Sequence, residues 1–329
     1  MAIAARDLKK SYSLKGSRRA ALDGVSLSVA DGETLVILGP SGAGKTTLLR
    51  VIAGLESADA GSIVIDDRDA TNLPAERRAV AIVFDQDALF PHLSVAENLA
   101  FAMHLQRREK NAIAERVAQT AHGLGITAHL KKKPAALSAG ERQRASLARA
   151  VLSDPRVLLL DEPLAHLEPA LRAQVRRSFA EFSKAFGGAA IHVTHDHTDA
   201  LSAGDRLAIL IEGKIVQCDK PQRVYDYPAT TAVAKFFGSP PMNLLENGAE
   251  TIGIRPEHVA LNNGGTLAGR VRTVESTGAD TFVSVATSMG ELLARVAASA
   301  APRVGDDVAV SLPEAHVRRF DGQAGVLHQ

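Results

Sequence analysis

One segment restricts the fold of this chain more than any other: Gly39-Pro40-Ser41-Gly42-Ala43-Gly44-Lys45-Thr46-Thr47. It has the spacing G-x-x-x-x-G-K-[ST] and lies between an apolar run, Leu35–Leu38, and a helical pattern that opens at Lys45. Such a turn between a buried strand and a helix lets successive backbone N–H groups converge on phosphate oxygens, and the helix N-terminus adds a favourable dipole. In that setting Lys45 brings a point charge to the β- and γ-phosphates of a nucleotide, and Thr46 brings a hydroxyl ligand to Mg²⁺. The expectation is a nucleotide site on an α/β scaffold.

The surrounding pattern agrees. Ile82–Phe84, Val157–Leu160, Ile191–Thr194 and Leu207–Ile211 are further short apolar runs, alternating with helical stretches, which predicts a mostly parallel sheet covered by helices. The run Val157–Leu160 ends in Asp161-Glu162, so that Asp161 would hold Mg²⁺ through its water shell and Glu162 would orient and polarise an attacking water. Residues 93–150 interrupt the alternation with helical sequence alone: Ser94-Val95-Ala96-Glu97 has the capping-box form, and Ala112–Leu124 and Gly140–Leu152 continue the insert. A further helix is expected over Ala170–Phe186. After Gly238-Ser239-Pro240-Pro241 the pattern changes to β-rich segments: Leu267–Val274, Thr281–Ala286, Leu292–Val296 and Val308–Leu312. The expected layout is a nucleotide-binding domain over 1–237, then a small β-barrel-like domain over 238–329.

Composition narrows the function. A net charge of +1 on 329 residues offers no basic field for nucleic acid. The single cysteine, Cys218, excludes an intrachain disulfide and suits a reducing compartment. The opening MAIAARDLKK lacks the apolar stretch of a secretion signal, and no apolar run approaches bilayer length. The expected location is the cytoplasmic face of the inner membrane, reached through a partner.

Leu137-Ser138-Ala139-Gly140-Glu141-Arg142-Gln143-Arg144 resembles the signature of ABC ATPases, LSGGQ or LSGGE. Together with the phosphate loop, the Asp161-Glu162 strand and His195 in Thr194-His195-Asp196, it identifies the chain as resembling that superfamily. The fold implied is a P-loop ABC ATPase domain with a mostly parallel sheet, an antiparallel N-terminal β part and a helical insert, followed by an OB-type β domain. The resemblance implies that Tyr12 stacks on adenine, that Ser138, Ala139, Gly140 and Glu141 contact the γ-phosphate of ATP bound to a second subunit, and that His195 contacts the γ-phosphate and the water. Physically, Ser138 and the N–H groups opening the helix at Gly140 form a second anion site. Two copies, or a paired ABC ATPase, would then sandwich two ATP molecules.

Phe236-Phe237-Gly238-Ser239-Pro240-Pro241-Met242-Asn243-Leu244-Leu245, Gly253-Ile254-Arg255-Pro256-Glu257-His258 and Ala88-Leu89-Phe90-Pro91-His92-Leu93-Ser94 resemble the carbohydrate-importer group, of the sn-glycerol-3-phosphate and maltose type. That likeness implies two transmembrane permease subunits and an extracytoplasmic solute-binding protein as partners, and no nucleic acid. An importer ATPase for polyamine or metal ion, and a slow or non-catalytic ATP-gated regulatory module, are the alternatives. The chain departs from the family pattern at Asp85, where Gln is usual and which stands as a further metal-ligand candidate. It departs also at Asp87 for Tyr, at Ala139 for Gly, and at Leu167-Glu168 for Leu-Asp. The accessory domain is short, with only Glu246–Thr251 joining Leu245 to Ile252.

Overall fold

Long strands β1 (Ile3–Leu14) and β2 (Ser17–Val29) pair antiparallel and precede β3 (Thr34–Leu38), the strand that carries the phosphate loop. The structure, a computed structural model, describes the chain except for residues 15–16, 85–88, 166–171, 173–175, 177–185, 263, 323–324 and 328–329. Asp85, Asp87, Leu167 and Glu168 lie outside the described residues, as does most of the helix expected over Ala170–Phe186. The described residues form two compact units, Met1–Pro221 and Gln222–Gln329.

In the first unit β3 leads into α1 (Lys45–Ala53), then β4 (Ala60–Ile65), β5 (Arg68–Asp69) and β6 (Val80–Val83). The helical insert follows as α2 (Val95–Leu105), α3 (Lys110–Gly123) and α4 (Ala139–Val151). The unit closes with β7 (Val157–Asp161), β8 (Ala189–Thr194), α5 (His197–Ser202), β9 (Arg206–Ile211) and β10 (Lys214–Asp219). One sheet has the order β2-β1-β4-β5, and the other β10-β9-β3-β8-β7-β6. The second is parallel apart from its antiparallel edge strand β10. The expected strand at Ile82–Phe84 is Val80–Val83, two residues earlier at its start and ending before Phe84.

The unbroken apolar run of β7 is explained by burial on both faces. Val157 and Leu159 pack with α1 and the antiparallel sheet, while Leu158 and Leu160 pack with the helical insert. By the same alternation Asp161 falls on the α1 side. In β8, Ile191 and Val193 share that side and His192 faces the other way, fully buried.

Two polar devices hold the C-terminal end of α1 and the start of α2. Arg78, 7 % exposed, donates to the carbonyls of Val51 and Ile52, each at 2.8 Å, and to those of Leu73 and Thr71 at 2.8 and 3.0 Å. A buried cation thus caps the helix C-terminus, adding a donor to carbonyls of its last turn. Asn98, fully buried in α2, accepts from Phe90 N and donates to the carbonyls of Phe90, Leu93 and Ser94. The expected capping box at Ser94 and Glu97 is formed in both directions.

The second unit contains α6 from its second residue (Pro221–Asp226 overall), α7 (Thr231–Phe236), β11 (Asn243–Asn247) and β12 (Glu250–Ile254). Then come β13 (Ala260–Leu261), β14 (Leu267–Ser276), β15 (Asp280–Thr287), β16 (Gly290–Ala297), β17 (Asp307–Ser311) and β18 (Arg318–Asp321). The segment Glu246–Thr251 is a tight hairpin, with Asn247 opposite Glu250, rather than a bare connection. The five-stranded sheet β13-β17-β14-β15-β16 curls into a nearly closed barrel over Val271, Val283, Val285, Leu292 and Val310. Beside it lies the sheet β11-β12-β18. Asn243 joins the two as a strand would: its amide donates to Leu293 O at 2.9 Å and accepts from Leu293 N at 2.7 Å. Arg255, 2 % exposed, donates to the carbonyls of Tyr225 and Phe237 and lies 3.9 Å over the Tyr225 ring.

Burial pushes the His192 imidazole down to about 4. The unfolded ring takes a proton near pH ~6.5, so stability is complete above that value and falls as pH drops towards 4, by on the order of 3 kcal/mol. Urea unfolding of the parent chain and of His192→Leu across this range should show the parent losing more stability on acidification; equal losses would exclude the imidazole as the cause. Arg78→Ala takes a donor from each of four carbonyls and should lower unfolding stability by roughly 2–4 kcal/mol, read from the urea midpoint.

Candidate functional site

The parallel register sets the site. Leu38 pairs with Thr194 across β3 and β8, and Asp161 with Val193 across β7 and β8. The carboxyl ends of the three strands therefore stop at one level, and the next residue of each, Gly39, His195 and Glu162, opens on the same edge of the sheet.

At that edge the chain turns tightly. A Cβ on Gly39 would meet Leu210 O at 2.3 Å, and one on Gly44 would meet Ala21 O at 2.2 Å, with Gly44 at φ 105° as well. Close approach of backbone to backbone thus dictates both glycines. Gly44 is the N-cap of α1 and supplies no side-chain cap, and the first turn of α1 carries no acid. By contrast α2 and α4 are each capped by a serine with a glutamate at the third position. The N-terminus of α1 therefore presents its dipole to the loop without a competing carboxylate of its own.

Lys45 is 6 % exposed and donates to Gly39 O at 2.8 Å and Pro40 O at 3.1 Å. Its ammonium stands 3.8 Å from Glu162 Oε1. Burial lowers its affinity for the proton, against the opposing pull of Glu162 and Asp161. The Thr46 hydroxyl donates to Asp161 Oδ1 at 3.2 Å, so a hydroxyl and a carboxylate oxygen meet side by side. Glu162 takes φ 48°, an uncommon conformation for a side-chain-bearing residue, and its N–H is tied to Val193 O at 2.9 Å. Its Oε2 lies 2.7 Å from His195 Nδ1, which donates to it.

A cleft of about 370 Å³ joins Lys45, Thr46 and Glu162 to Tyr12, with Arg19 and Ser41 also among its walls. The Tyr12 hydroxyl donates to Glu56, and burial followed by that contact raises its proton affinity. The cleft thus brings together Tyr12, Ser41, Gly42, Gly44, Lys45, Thr46, Thr47 and Glu162 of the sequence-expected set. Ser138, Ala139, Gly140 and Glu141 stand apart from it at the start of α4, where Ser138 and Glu141 form a reciprocal capping box. Sequence reasoning missed Arg19 and Glu56; both are ordinary charged residues until the pairing of β1 with β2 sets Arg19 opposite Tyr12 and the connection after α1 brings Glu56 to its hydroxyl.

A chain that ends its β-strands on such a loop, with a carboxylate pair and a histidine at the same level, is a P-loop ATPase. Residues 22–165 match the ABC transporter family, and residues 252–320 match the TOBE domain family. The diacetylchitobiose uptake system ATP-binding protein MsiK of Streptomyces coelicolor is 38 % identical, over 94 % of this chain and 95 % of its own length. The sn-glycerol-3-phosphate import ATP-binding protein UgpC of Brucella abortus is 38 % identical over 96 % of this chain and 97 % of its own. Among solved structures, the ATP-binding cassette MJ0796 in a dimeric post-hydrolysis state bound to ADP and Pi is 26 % identical, with TM-score 0.60, over 67 % of this chain and 98 % of that one. The chain belongs to the ABC transporter family, as an ATP-binding subunit whose hydrolysis of ATP is coupled to transport. No helix among the described residues is long and apolar enough to cross a membrane.

Gly44→Ala should disrupt the loop. With φ 105° and a carbonyl oxygen 2.2 Å from the added carbon, it should cost at least ~2 kcal/mol of stability and weaken ATP binding, read by thermal melts and calorimetric titration.

Proposed function

We propose that this chain powers uptake of a carbohydrate or of sn-glycerol-3-phosphate, paired with a second copy or a similar ATPase. Two transmembrane permease subunits and an extracytoplasmic solute-binding protein complete the assembly, at the cytoplasmic face of the inner membrane. The observation that carries this reading is the likeness to uptake and import ATP-binding proteins through both units, over 94 to 96 % of the chain. Permease subunits recovered with the tagged chain from membranes would support it, and recovery with ribosomes or nucleic acid alone would overturn it.

In this reading Lys45 holds the β- and γ-phosphates, the loop from Gly39 to Thr47 supplies N–H donors, and Tyr12 stacks on adenine. Thr46 and Asp161 offer hard oxygen donors of the kind Mg²⁺ takes, already adjacent at 3.2 Å. Bound there with ATP, Mg²⁺ would neutralise charge on the phosphates. Glu162 orients and polarises the attacking water, and His195, 2.7 Å from it, fixes the carboxylate and reaches the γ-phosphate. Ser138 to Glu141 meet the nucleotide of the opposite subunit, which explains their distance from the chain's own cleft.

The helical insert is the coupling surface in this reading. Its α2 exposes Phe101 and Leu105, 38 and 71 % accessible, next to the Phe90 ring at 4.7 Å from Phe101. ATP binding would pair the subunits and hydrolysis would release them, moving the permeases.

Glu162→Gln should lower turnover at least ~100-fold while keeping the phosphate contacts, so that ATP and Mg²⁺ drive a stable dimer visible by size-exclusion chromatography. Normal hydrolysis by this variant would remove Glu162 from the mechanism. Lys45→Ala should lose roughly 2–3 kcal/mol of ATP affinity in calorimetric titration.

A further inference from the structure

Two arginines stand side by side in β2, Arg18 and Arg19, and strand alternation sends them to opposite faces. Arg18 meets Asp59, with Nη2 3.3 Å from Oδ2. Arg19 lies across from Tyr12 in the β1–β2 pairing, and residues opposite each other in an antiparallel pair share a face. Its side chain therefore runs with the Tyr12 ring towards the phosphate loop, where both line the cleft. A Cβ on Gly42 would lie 3.9 Å from Arg19 Nη2, so the guanidinium reaches the loop itself. Arg19 is exposed, and among the described residues its guanidinium takes part in no ion pair or hydrogen bond.

The charges already at the loop are poorly matched to a polyphosphate. Among the described residues that line the cleft, only Arg19, Lys45 and Glu162 carry a formal charge. Lys45 has Glu162 at 3.8 Å, and the carboxylate of Asp161 pulls on its ammonium as well. One positive charge thus faces two negative ones, and part of its attraction for phosphate is spent on them. Arg19 comes to the loop at Gly42, from β2 rather than from the carboxylate-bearing strand β7. It has no carboxylate to give up, so its attraction for an anion is opposed only by its own hydration. A guanidinium is weakly hydrated, its planar fork matches two phosphate oxygens, and it stays charged throughout the physiological range.

We propose that Arg19 is a second phosphate-binding cation of the nucleotide site, contacting the β- and γ-phosphates at Gly42 together with Lys45. The proposal rests on the reading that the phosphates sit on the loop from Gly39 to Thr47, and it adds a residue from outside that loop. One antiparallel pair of strands then serves both ends of the nucleotide: β1 supplies the ring of Tyr12 for the base, and β2 supplies the cation. The contact favours di- and triphosphates over the monophosphate. Because the guanidinium stands in water, added salt weakens it.

The test is calorimetric titration of the full chain with ADP, with AMP and with a non-hydrolysable ATP analogue. Arg19→Ala should bind ADP and the analogue ~10-fold more weakly than the parent, as expected for loss of a charge-assisted contact, and AMP equally well. Arg19→Lys should recover most of the loss, and Arg19→Gln should not. Raising salt from ~0.05 to ~0.5 M should weaken binding to the parent more than to Arg19→Ala, a difference that a merely structural role would not produce. An Arg19→Ala chain that binds ADP and the analogue as tightly as the parent overturns the proposal. So does a loss of equal size for AMP, which would put the guanidinium at the nucleoside end. Lys45→Ala separates the two levels. If it loses affinity while Arg19→Ala does not, the loop stands as the phosphate site and Arg19 alone is excluded; if it binds as the parent does, the phosphates are not on the loop and both readings fall.

Discussion

The site depends on the parallel hydrogen-bond register of β3, β8 and β7. That register ends three strands at one level, so Gly39, His195 and Glu162 emerge together although they are far apart in the chain. A slip of one residue in β7 would turn Asp161 from the α1 face to the insert face and separate it from Thr46. The apolar faces of β7 make such a slip costly, since Leu158 and Leu160 fill the core beneath the insert while Val157 and Leu159 fill the one beneath α1. Core packing and site geometry are therefore one constraint.

Around this register, buried polar side chains fix the elements that hydrophobic packing alone would leave free to slide. Arg78 anchors the far end of the helix whose near end forms the phosphate loop. Asn98 sets the path of the segment leading into α2. In the second unit Asn243 stitches one sheet to the other, and Arg255 gathers the carbonyls of Tyr225 and Phe237. Each of these groups is satisfied by backbone carbonyls or amides, so each specifies one backbone path at little cost in unpaired polarity.

Helix termini divide the chemical labour. The start of α1 has no capping side chain and belongs to a cleft with Lys45 and Tyr12, whereas the start of α4 is capped by Ser138 and carries the Glu141–His129 pair. One terminus is open to an anion within its own subunit. The other is already occupied by a carboxylate of its own, since Glu141 accepts from Ser138 N.

Much was legible without coordinates, for a physical reason: strand and helix periodicities, caps and tight turns are local. The strand before the loop, the helix from Lys45, the capping box at Ser94 and four of the barrel strands follow from spacing alone. The phosphate-loop glycines announce the close approaches to Leu210 and Ala21 only as a need for glycine, not which carbonyl is approached. What the tertiary structure decided is partnership at long range. Arg78 meets Val51 27 residues back, Asn243 meets Leu293 50 residues on, and Glu162 meets His195 33 residues on. The hairpin at Asn247–Glu250 likewise escaped a reading by composition, because its polar tip resembles a linker until β18 pairs beside it. Periodicity tells a side chain which face of its own element it occupies; only the packing of distant elements tells it what it will touch there.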